Sequence, residues 1–407
     1  MAISLKNFFL ILLLTSLSGF NSYDQLGQTI EDELNLKDAG RKIENSISLF
    51  ISRSNYEDIR VTSGRKVGVQ AKTLIINGDS IGAEEISTRG QSTLLYKRKS
   101  FNIKLKSEAV FRNGESTGSF KRFVALSLSM DRNYYNNRLA FEMMEISGLF
   151  DLFYSFCELR INDQTEGIYM IVERPEDWAI KVKDSPLVIR RGYNHVIEKI
   201  ITDKMIGKEE IKKYCSYYDQ IYKCLNKSKD EELYNTLSNW LDVDFYMKWL
   251  AFNFLVRNGD YSDEVYFYFD PGINKFRIIP WDYDDLFSRS PHEGNIEYTK
   301  TLGDKLIFSA EDLLDKKIAN DPYLHKLYLN QLMELLNQLS PAVLKRIFEN
   351  VYAELYPYYS NKGIINMSIH NAYKNADFET LQQNMISVYS QLIFSRELYL
   401  NSLRSKN

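Results

Sequence analysis

The stretch RNGDYSDEVYFYFDPGINKFRIIPWDYDDLF, Arg257–Phe287, places acidic residues on both sides of a run of strand-forming aromatics. The aromatic and β-branched residues that flank the turn signal Pro271-Gly272 predict a β-hairpin over Val265–Trp281. The two open ends of a hairpin lie close together in space. The acids just before and just after this hairpin are therefore expected to meet at one edge of a cleft.

Upstream of this stretch the sequence is rich in strand patterns. KVGVQAKTLIINGDSIGAEEISTRG alternates and contains the turn pair Asn77-Gly78, and FCELRINDQTEGIYMIVE predicts a second hairpin. Between them, RNYYNNRLAFEMMEISG has helical spacing, with Leu139, Met143 and Ile146 on one face. Residues 60–195 are therefore predicted to form a β-rich N-lobe, a mostly antiparallel sheet that carries one prominent helix.

Residues 196–407 have a mainly helical pattern, which predicts a C-lobe interrupted by the hairpin region 260–285. Phe245–Val256 is apolar almost all round, as expected for a central helix that begins at Asp242 or Asp244 and ends at Gly259. Residues 23–59 show helical spacing and predict an N-terminal helical extension. The expected fold class is α+β, with an antiparallel β N-lobe and a helical C-lobe.

Composition narrows the classes of partner and compartment. The 407 residues carry a net charge of -3 with a pI near 6.0, so no basic surface predicts a nucleic-acid partner. Residues 1–22 have a lysine, a short apolar run and small residues, the layout of a cleaved signal peptide; an uncleaved anchor is the alternative. We expect a secreted or extracytoplasmic protein with no transmembrane span after leader removal. Three cysteines do not make a disulfide framework, and four scattered histidines predict no zinc site.

Two acids at the ends of the hairpin have the spacing needed to take two different catalytic roles. Asp260 opens the hairpin and Asp282 follows it, so one carboxylate can orient or deprotonate a hydroxyl while the other binds Mg²⁺ on a phosphate chain. Protein kinases place a base Asp, a hairpin and a metal Asp in this order. The alternative is that both are loop acids that cap strand ends.

Several blocks together resemble the CotH (spore coat protein H) family of secreted atypical kinases. The resemblance covers about Ile86–Phe287 and rests on RGQSTLLYKRKSFNIKLK, RNYYNNRLAFEMMEISGLF, CELRINDQTEGIYMIVE, LVIRRGYN and WLAFNFLVRNGDYSDEVYFYFD…KFRIIPWDYDDLF. It implies a protein-kinase-like two-lobe fold, ATP with Mg²⁺ or Mn²⁺ as cofactors, and a protein or cell-surface substrate.

The resemblance implies a role for each acid near the hairpin. Asp260 is the expected catalytic-loop acid, and Asp282 the expected principal metal ligand, with Asp284 or Asp285 in support. The family usually places an Asn a few residues after the catalytic-loop Asp, and this chain has none there. Asp263 or Glu264 is the expected substitute ligand, since carboxylates suit hard cations.

It also implies a nucleotide site on the N-lobe. Lys104 is expected to pair with the phosphates, with Lys99 as the competing candidate, and Glu142 to tether that lysine. The alternative is an ordinary solvated strand edge and a surface helix acid. The remaining expected nucleotide contacts are a turn near the phosphates (Arg89, Gly90, Ser92) and hinge residues facing the adenine (Val172, Glu173).

Three functions remain open at this point. The first is a secreted, metal-dependent ATP phosphotransferase. The second is a catalytically silent nucleotide-binding scaffold of a surface or coat structure, which the missing Asn would fit. The third is a metal-dependent hydrolase that uses Asp282, Asp284 and Asp285.

Overall fold

A computed structural model describes residues 34–192, 195–202, 205–261, 265–288, 291, 305–308, 312–367 and 377–404. The strands are β1 Ser46–Ile51, β2 Ala71–Ile76, β3 Asp79–Ser80, β4 Ala83–Arg89, β5 Ser100–Asn113, β6 Ser116–Leu126, β7 Tyr154–Ile161, β8 Gln164–Glu173, β9 Leu187–Arg191, β10 Ile197–Thr202, β11 Val265–Asp270 and β12 Lys275–Ile279. The helices are α1 Arg53–Arg60, α2 Asn136–Ile146, α3 Pro175–Lys181, α4 Lys208–Lys223, α5 Asp230–Leu237, α6 Val243–Val256, α7 Leu313–Asn320, α8 Pro322–Gln338, α9 Pro341–Tyr359, α10 Lys362–Ile365 and α11 Phe378–Arg404. The chain is thus α+β, as the sequence predicts.

The N-terminal half is built on an eight-stranded sheet in the order β3-β2-β1-β7-β8-β6-β5-β4. Its pairs are antiparallel except β1 with β7. Period-two alternation sends Phe101 and Ile103 into a core on one face of β5 and leaves Ser100 and Asn102 on the other. The α2 helix packs on the second face, where the sheet joins the helical half in one continuous core.

The predicted N-terminal helical extension is wrong over residues 46–51. These residues form β1, an inner strand of the sheet, in which Ile47, Leu49 and Ile51 are buried and their neighbours are less so. The local sequence fits both the helical period and the strand period. The strand, however, gains backbone hydrogen-bond partners on both sides, from β2 and from β7. The sheet therefore begins before residue 60, and the helix of this region, α1, starts only at Arg53 after the cap Ser52.

The predicted hairpin is confirmed as β11 and β12, which pair in register across the turn after Asp270. It belongs to a four-stranded sheet in the order β10-β9-β11-β12. The predictions that residues 187–195 belong to the N-lobe sheet and that the chain after them is helical are wrong here. Instead, β9 pairs with β11, and β10 is a further strand. The edge of β11 that faces away from β12 pairs with β9, and β10 extends the sheet on the far side of β9.

The central helix α6 is confirmed and is buried almost all round. Asp242 caps its start by accepting a hydrogen bond from the Phe245 N–H. Its end differs from the prediction, because Arg257, not Gly259, adopts the left-handed conformation at the C-cap. The chain then runs directly toward the hairpin. None of the helices in the described ranges is long and apolar enough to cross a membrane.

Candidate functional site

A cavity of about 490 Å³ lies between the large sheet, α2 and the hairpin. The residues around it come from the ends of the hairpin, from the turn after β4, from the inner positions of β5 and β6, and from the segment after β8. Four of the predicted site acids line it together: Asp260, Asp282, Asp284 and Asp285. The structure therefore brings both ends of the hairpin to one cleft.

Asn258 joins the two hairpin ends and was missed by the sequence reasoning. Its side chain is fully buried. The Asn258 Nδ2 donates to the Asp282 carbonyl at 3.2 Å, and its Oδ1 accepts the Asp260 backbone N–H at 3.2 Å. One amide thus fixes the backbone at both acids. The sequence signal that could have found Asn258 is its position. It lies two residues after the almost entirely apolar helix α6 and two residues before Asp260.

Gly259 leaves the space that the Asp285 side chain occupies. Its N–H donates to the Asp285 carbonyl at 2.9 Å. A Cβ on residue 259 would stand 1.9 Å from the Asp285 Oδ2, closer than real atoms approach. Only glycine therefore permits this carboxylate to lie against the loop that carries Asp260.

The loop that carries Asp282 is held from two helices. Asp282 has a positive φ of 62°, unusual for a residue with a side chain. The next N–H, of Tyr283, donates to the Asn137 Oδ1 at 3.1 Å, and the buried Tyr283 hydroxyl accepts the Trp249 Nε1–H at 3.1 Å. Asn136 Nδ2 donates to the carbonyl of Asp284 at 2.9 Å. Helices α2 and α6 thus fix the strained backbone on which the acids stand.

The predicted turn after β4 lines the same cavity, opposite the acids. The Arg89 guanidinium lies over the Trp281 ring, 5.6 Å from its centroid, and its Nη1 is buried with no hydrogen-bond partner in the described part of the chain. Gly90 has φ +110°, and a Cβ there would meet the Thr93 Oγ1 at 1.9 Å. Ser92 also lines the cavity. The turn therefore offers a glycine backbone and a half-buried arginine to this space.

Neither predicted lysine reaches the cavity. Lys104 shares a strand face with Ser100 and Asn102, which do line it, but lies farther along β5, where its Nζ binds Glu84 at the surface. The Lys99 Nζ donates to two backbone carbonyls on the 3₁₀ helix Ser92–Leu95 and just after it. Burial, with the nearby Arg60 charge, lowers the pKa of Lys99. The described cations lining the cavity are instead Lys66, Arg89, Arg174, Arg190 and Lys199.

Glu142 is also not where the resemblance implies. Its carboxylate pairs with Arg138 at 2.7 Å and accepts from the Asn350 Nδ2 at 3.1 Å, so it faces α9 rather than a lysine on the sheet. Burial raises its pKa above the ordinary value. The α2 residues that line the cavity are Asn137 and Phe141, one helical turn apart.

The expected hinge residues lie just before the segment that lines the cavity. Val172 is fully buried between β6 and β7, opposite Val124 and Tyr154. Glu173 points to a second cavity, and burial raises its pKa to about 7. The residues that line the first cavity here are 174–176. Neither Val172 nor Glu173 therefore lines the first cavity.

Three of the predicted metal ligands, Asp282, Asp284 and Asp285, line the first cavity together. Asp263, and its alternative Glu264, lie outside the described residues. Within the described ranges, no group of three or more His, Cys, Asp or Glu side chains is arranged to hold a metal ion. Mg²⁺, however, usually takes one or two protein carboxylates together with substrate phosphates and water. Asp282 with one neighbour would meet that requirement.

These features define an α+β protein with a cleft at the base of a hairpin, in which carboxylates face a glycine turn. A family model described as CotH kinase protein matches residues 86–391, most of the chain. The chain belongs to this family. It is 24% identical over 227 residues to the inner spore coat protein H of Bacillus subtilis (strain 168), covering 51% of this chain and 60% of that relative.

A solved structure also resembles this chain. It is the Shewanella oneidensis MR-1 toxin–antitoxin complex of HipA, HipB and operator DNA, with a TM-score of 0.33 and 11% identity over 73% of this chain and 64% of that one. Both comparisons leave more than a third of the compared protein unmatched.

Proposed function

We propose that this protein is a secreted, metal-dependent ATP phosphotransferase that acts on a protein or surface-structure substrate. The observation that carries the proposal is the joint position of Asp260 and Asp282, held by one buried amide at the mouth of one cavity. Family membership supports a kinase-type reaction. Export is proposed from the leader sequence of residues 1–22, which lies outside the described ranges.

The residues divide into two roles in this reaction. Asp282, with Asp284 or Asp285, would hold Mg²⁺ through carboxylate oxygens. The ion would neutralise charge on the phosphate oxygens. Asp260 would orient the acceptor hydroxyl and take its proton as the phosphoryl group is transferred.

The cation beside the phosphates is proposed to be Arg89 rather than Lys104. Its buried Nη1 has an unused donor in the described structure, and stacking on Trp281 holds the guanidinium beside the loop of Asp282. Arg offers a fixed fork that suits phosphate oxygens. The neighbouring Gly90 backbone permits close approach of a ligand.

The test compares Asp282→Ala with Asp260→Ala, and uses Asp58→Ala, a substitution of an exposed α1 acid, as the matched control. Asp282→Ala is expected to abolish the thermal shift that Mg·ATP produces. Asp260→Ala is expected to retain that shift and to lose about 10²–10⁴-fold in phosphoryl transfer. Circular dichroism must show that every variant is folded.

Each other outcome has a definite meaning. The reverse pattern would exchange the two roles, and full activity in both variants would reject the kinase proposal. A wild-type nucleotide shift without transfer to any acceptor would favour the nucleotide-binding scaffold. Metal affinity without a nucleotide shift would favour the hydrolase.

A further inference from the structure

A second cavity, of about 720 Å³, lies behind the segment that joins β8 to α3. Glu173 and Asp177 line this second cavity, whereas residues 174–176 between them line the first. The two cavities also share an aromatic wall. Phe150, in the second, stacks on Phe141, in the first, with ring centroids 4.4 Å apart and planes 8° apart. The two cavities are therefore separate but share two walls, the segment of residues 173–177 and the Phe141–Phe150 stack.

The second cavity combines aromatic faces with an excess of carboxylates. Its aromatic lining is Phe120, Phe150, Phe153 and Tyr154, and its charged lining is Glu108, Glu145, Asp151, Glu173 and Asp177 against Lys121, Arg122 and Lys181. Carboxylates beside ring faces attract organic cations by charge and by the ring quadrupole. The volume is that of a site for a small organic molecule rather than a bare metal ion.

Three of the five acids have short side-chain contacts, which leaves Glu173 and Asp177 to consider. Glu108 accepts the Ser119 hydroxyl at 2.8 Å, Glu145 accepts the Tyr154 hydroxyl at 2.7 Å, and Asp151 pairs with Lys183 at 2.6 Å. Glu173, by contrast, receives one long hydrogen bond in the described structure, from the Phe153 N–H at 3.4 Å.

Asp177 is the second acid. Its exposed fraction is only 8%, and its Oδ1 pairs with the Arg122 Nη1 at 3.1 Å. Its Oδ2 has no hydrogen-bond partner among the described residues, and neither has the Arg122 Nε. A carboxylate this deeply buried with an unused oxygen is costly unless a further donor satisfies it.

We propose that the second cavity binds a small aliphatic ammonium compound, whose N–H groups donate to the carboxylates of Glu173 and Asp177 beside the ring of Phe153. The segment of residues 173–177 and the Phe141–Phe150 stack are common to both cavities. Occupancy of this site therefore changes nucleotide affinity in the first cavity. That coupling rests on the proposed function, whereas the binding site does not.

The binding test uses the mature full-length chain without nucleotide. Putrescine is titrated by calorimetry. Tetramethylammonium is the comparison cation without N–H donors, and inorganic phosphate and glucose are the anionic and neutral comparison probes. Saturable binding of putrescine is expected, and tetramethylammonium should bind more weakly because it cannot donate to a carboxylate. Glu173→Gln, which removes the charge, and Phe153→Leu, which removes the ring, should each weaken putrescine binding about tenfold. Glu85→Gln, an exposed β4 acid outside both cavities, should leave it unchanged.

The pH dependence gives a second readout. The charged groups facing Glu173 are Asp177 and Lys181 from α3, Asp151 from the preceding loop and Arg122 from β6. Since burial raises the Glu173 pKa to about 7, cation affinity should rise as the pH increases through neutrality. The affinity of Glu173→Gln should vary less over that range.

Several results would overturn the proposal. No saturable binding of putrescine in the millimolar range would do so, as would equal putrescine affinity in the wild type and both cavity variants. Weakening by Glu85→Gln to the same extent would assign the binding to surface acids. The coupling is read separately, as a change in the Mg·ATP thermal shift when the cation is present. Cation binding without that change would reject the coupling alone, and cation binding without any nucleotide shift would reject the proposed function alone.

Discussion

Replacing Gly259 with alanine tests the site geometry with one methyl group. The added Cβ would lie 1.9 Å from the Asp285 Oδ2, and 3.1 Å from both the Asp285 Cγ and the Ser288 Cβ. Gly259 has no left-handed φ, so the substitution introduces crowding rather than backbone strain. The Asp285 carboxylate must therefore retreat from the loop that holds Asp260.

The size of the effect follows from the distance. A carbon and an oxygen at 1.9 Å must separate by more than about 1 Å to reach ordinary van der Waals contact. Overpacking of this kind costs about 1–3 kcal/mol of unfolding free energy. A displacement of about 1 Å in a catalytic constellation is associated with roughly 10²-fold in rate. Gly259→Ala should therefore lower activity far more than its loss of stability explains.

Urea unfolding and phosphoryl transfer measure the two effects. Gly68→Ala is the control, because a Cβ there meets nothing within 4 Å and φ is not positive. The double variant Gly259→Ala/Asp285→Ala should recover the lost stability, since the crowded oxygen is gone, but not the activity. If Gly259→Ala behaves like Gly68→Ala in both assays, Asp285 does not lie against this glycine and the deduced site geometry is wrong.

Three further predictions concern other parts of the chain. Arg89→Ala should weaken Mg·ATP binding about tenfold or more, as expected for loss of a charge-assisted hydrogen bond, whereas Lys104→Ala should leave binding unchanged. Calorimetric titration measures both variants, and weaker binding in Lys104→Ala alone would return that lysine to the site. Because the Glu173 pKa is raised, the folded state binds more protons than the unfolded state between about pH 4 and 7. The free energy of unfolding should therefore fall as the pH rises through that window, by on the order of 1 kcal/mol after solvent screening. Thermal unfolding of Glu173→Gln should show a flatter pH dependence. Protein from the native host should have the intact mass of a chain that begins near residues 19–23. A full-length chain in the membrane fraction would instead support an uncleaved N-terminal anchor.

The sequence predicted those parts of the site that depend on local pattern. The hairpin follows from aromatic strands around a Pro-Gly turn, and its open ends necessarily bring Asp260 and Asp282 together. Gly90 could be placed at a tight turn because glycine readily adopts the positive φ it shows. These inferences need only the chain within a few tens of residues.

The failures share a different cause, because each depends on how far along or around an element a side chain lies. Alternation correctly puts Lys104 on the same face as Asn102, yet says nothing about where the cavity ends along β5. Helical spacing cannot say which neighbour Glu142 faces, and its partner Asn350 is 208 residues away in the chain. The parallel pairing of β1 with β7 is equally remote from any local signal.

The long-range contacts of α2 explain why the expected lysine–glutamate pair is absent. Arg138 is buried and pairs with Glu354 of α9 at 2.7 Å and with Glu142. Burial lowers the pKa of Arg138, but these carboxylates outweigh burial and raise it well above its ordinary value. A buried arginine needs both acids, so Glu142 is committed to the helical half and is unavailable to a lysine on the sheet. The same helix uses Asn137 to hold the Asp282 loop. In this chain α2 therefore supports the acids, and Arg89, at the end of the strand on the other side of the cavity, is one of the cations that line the space they share.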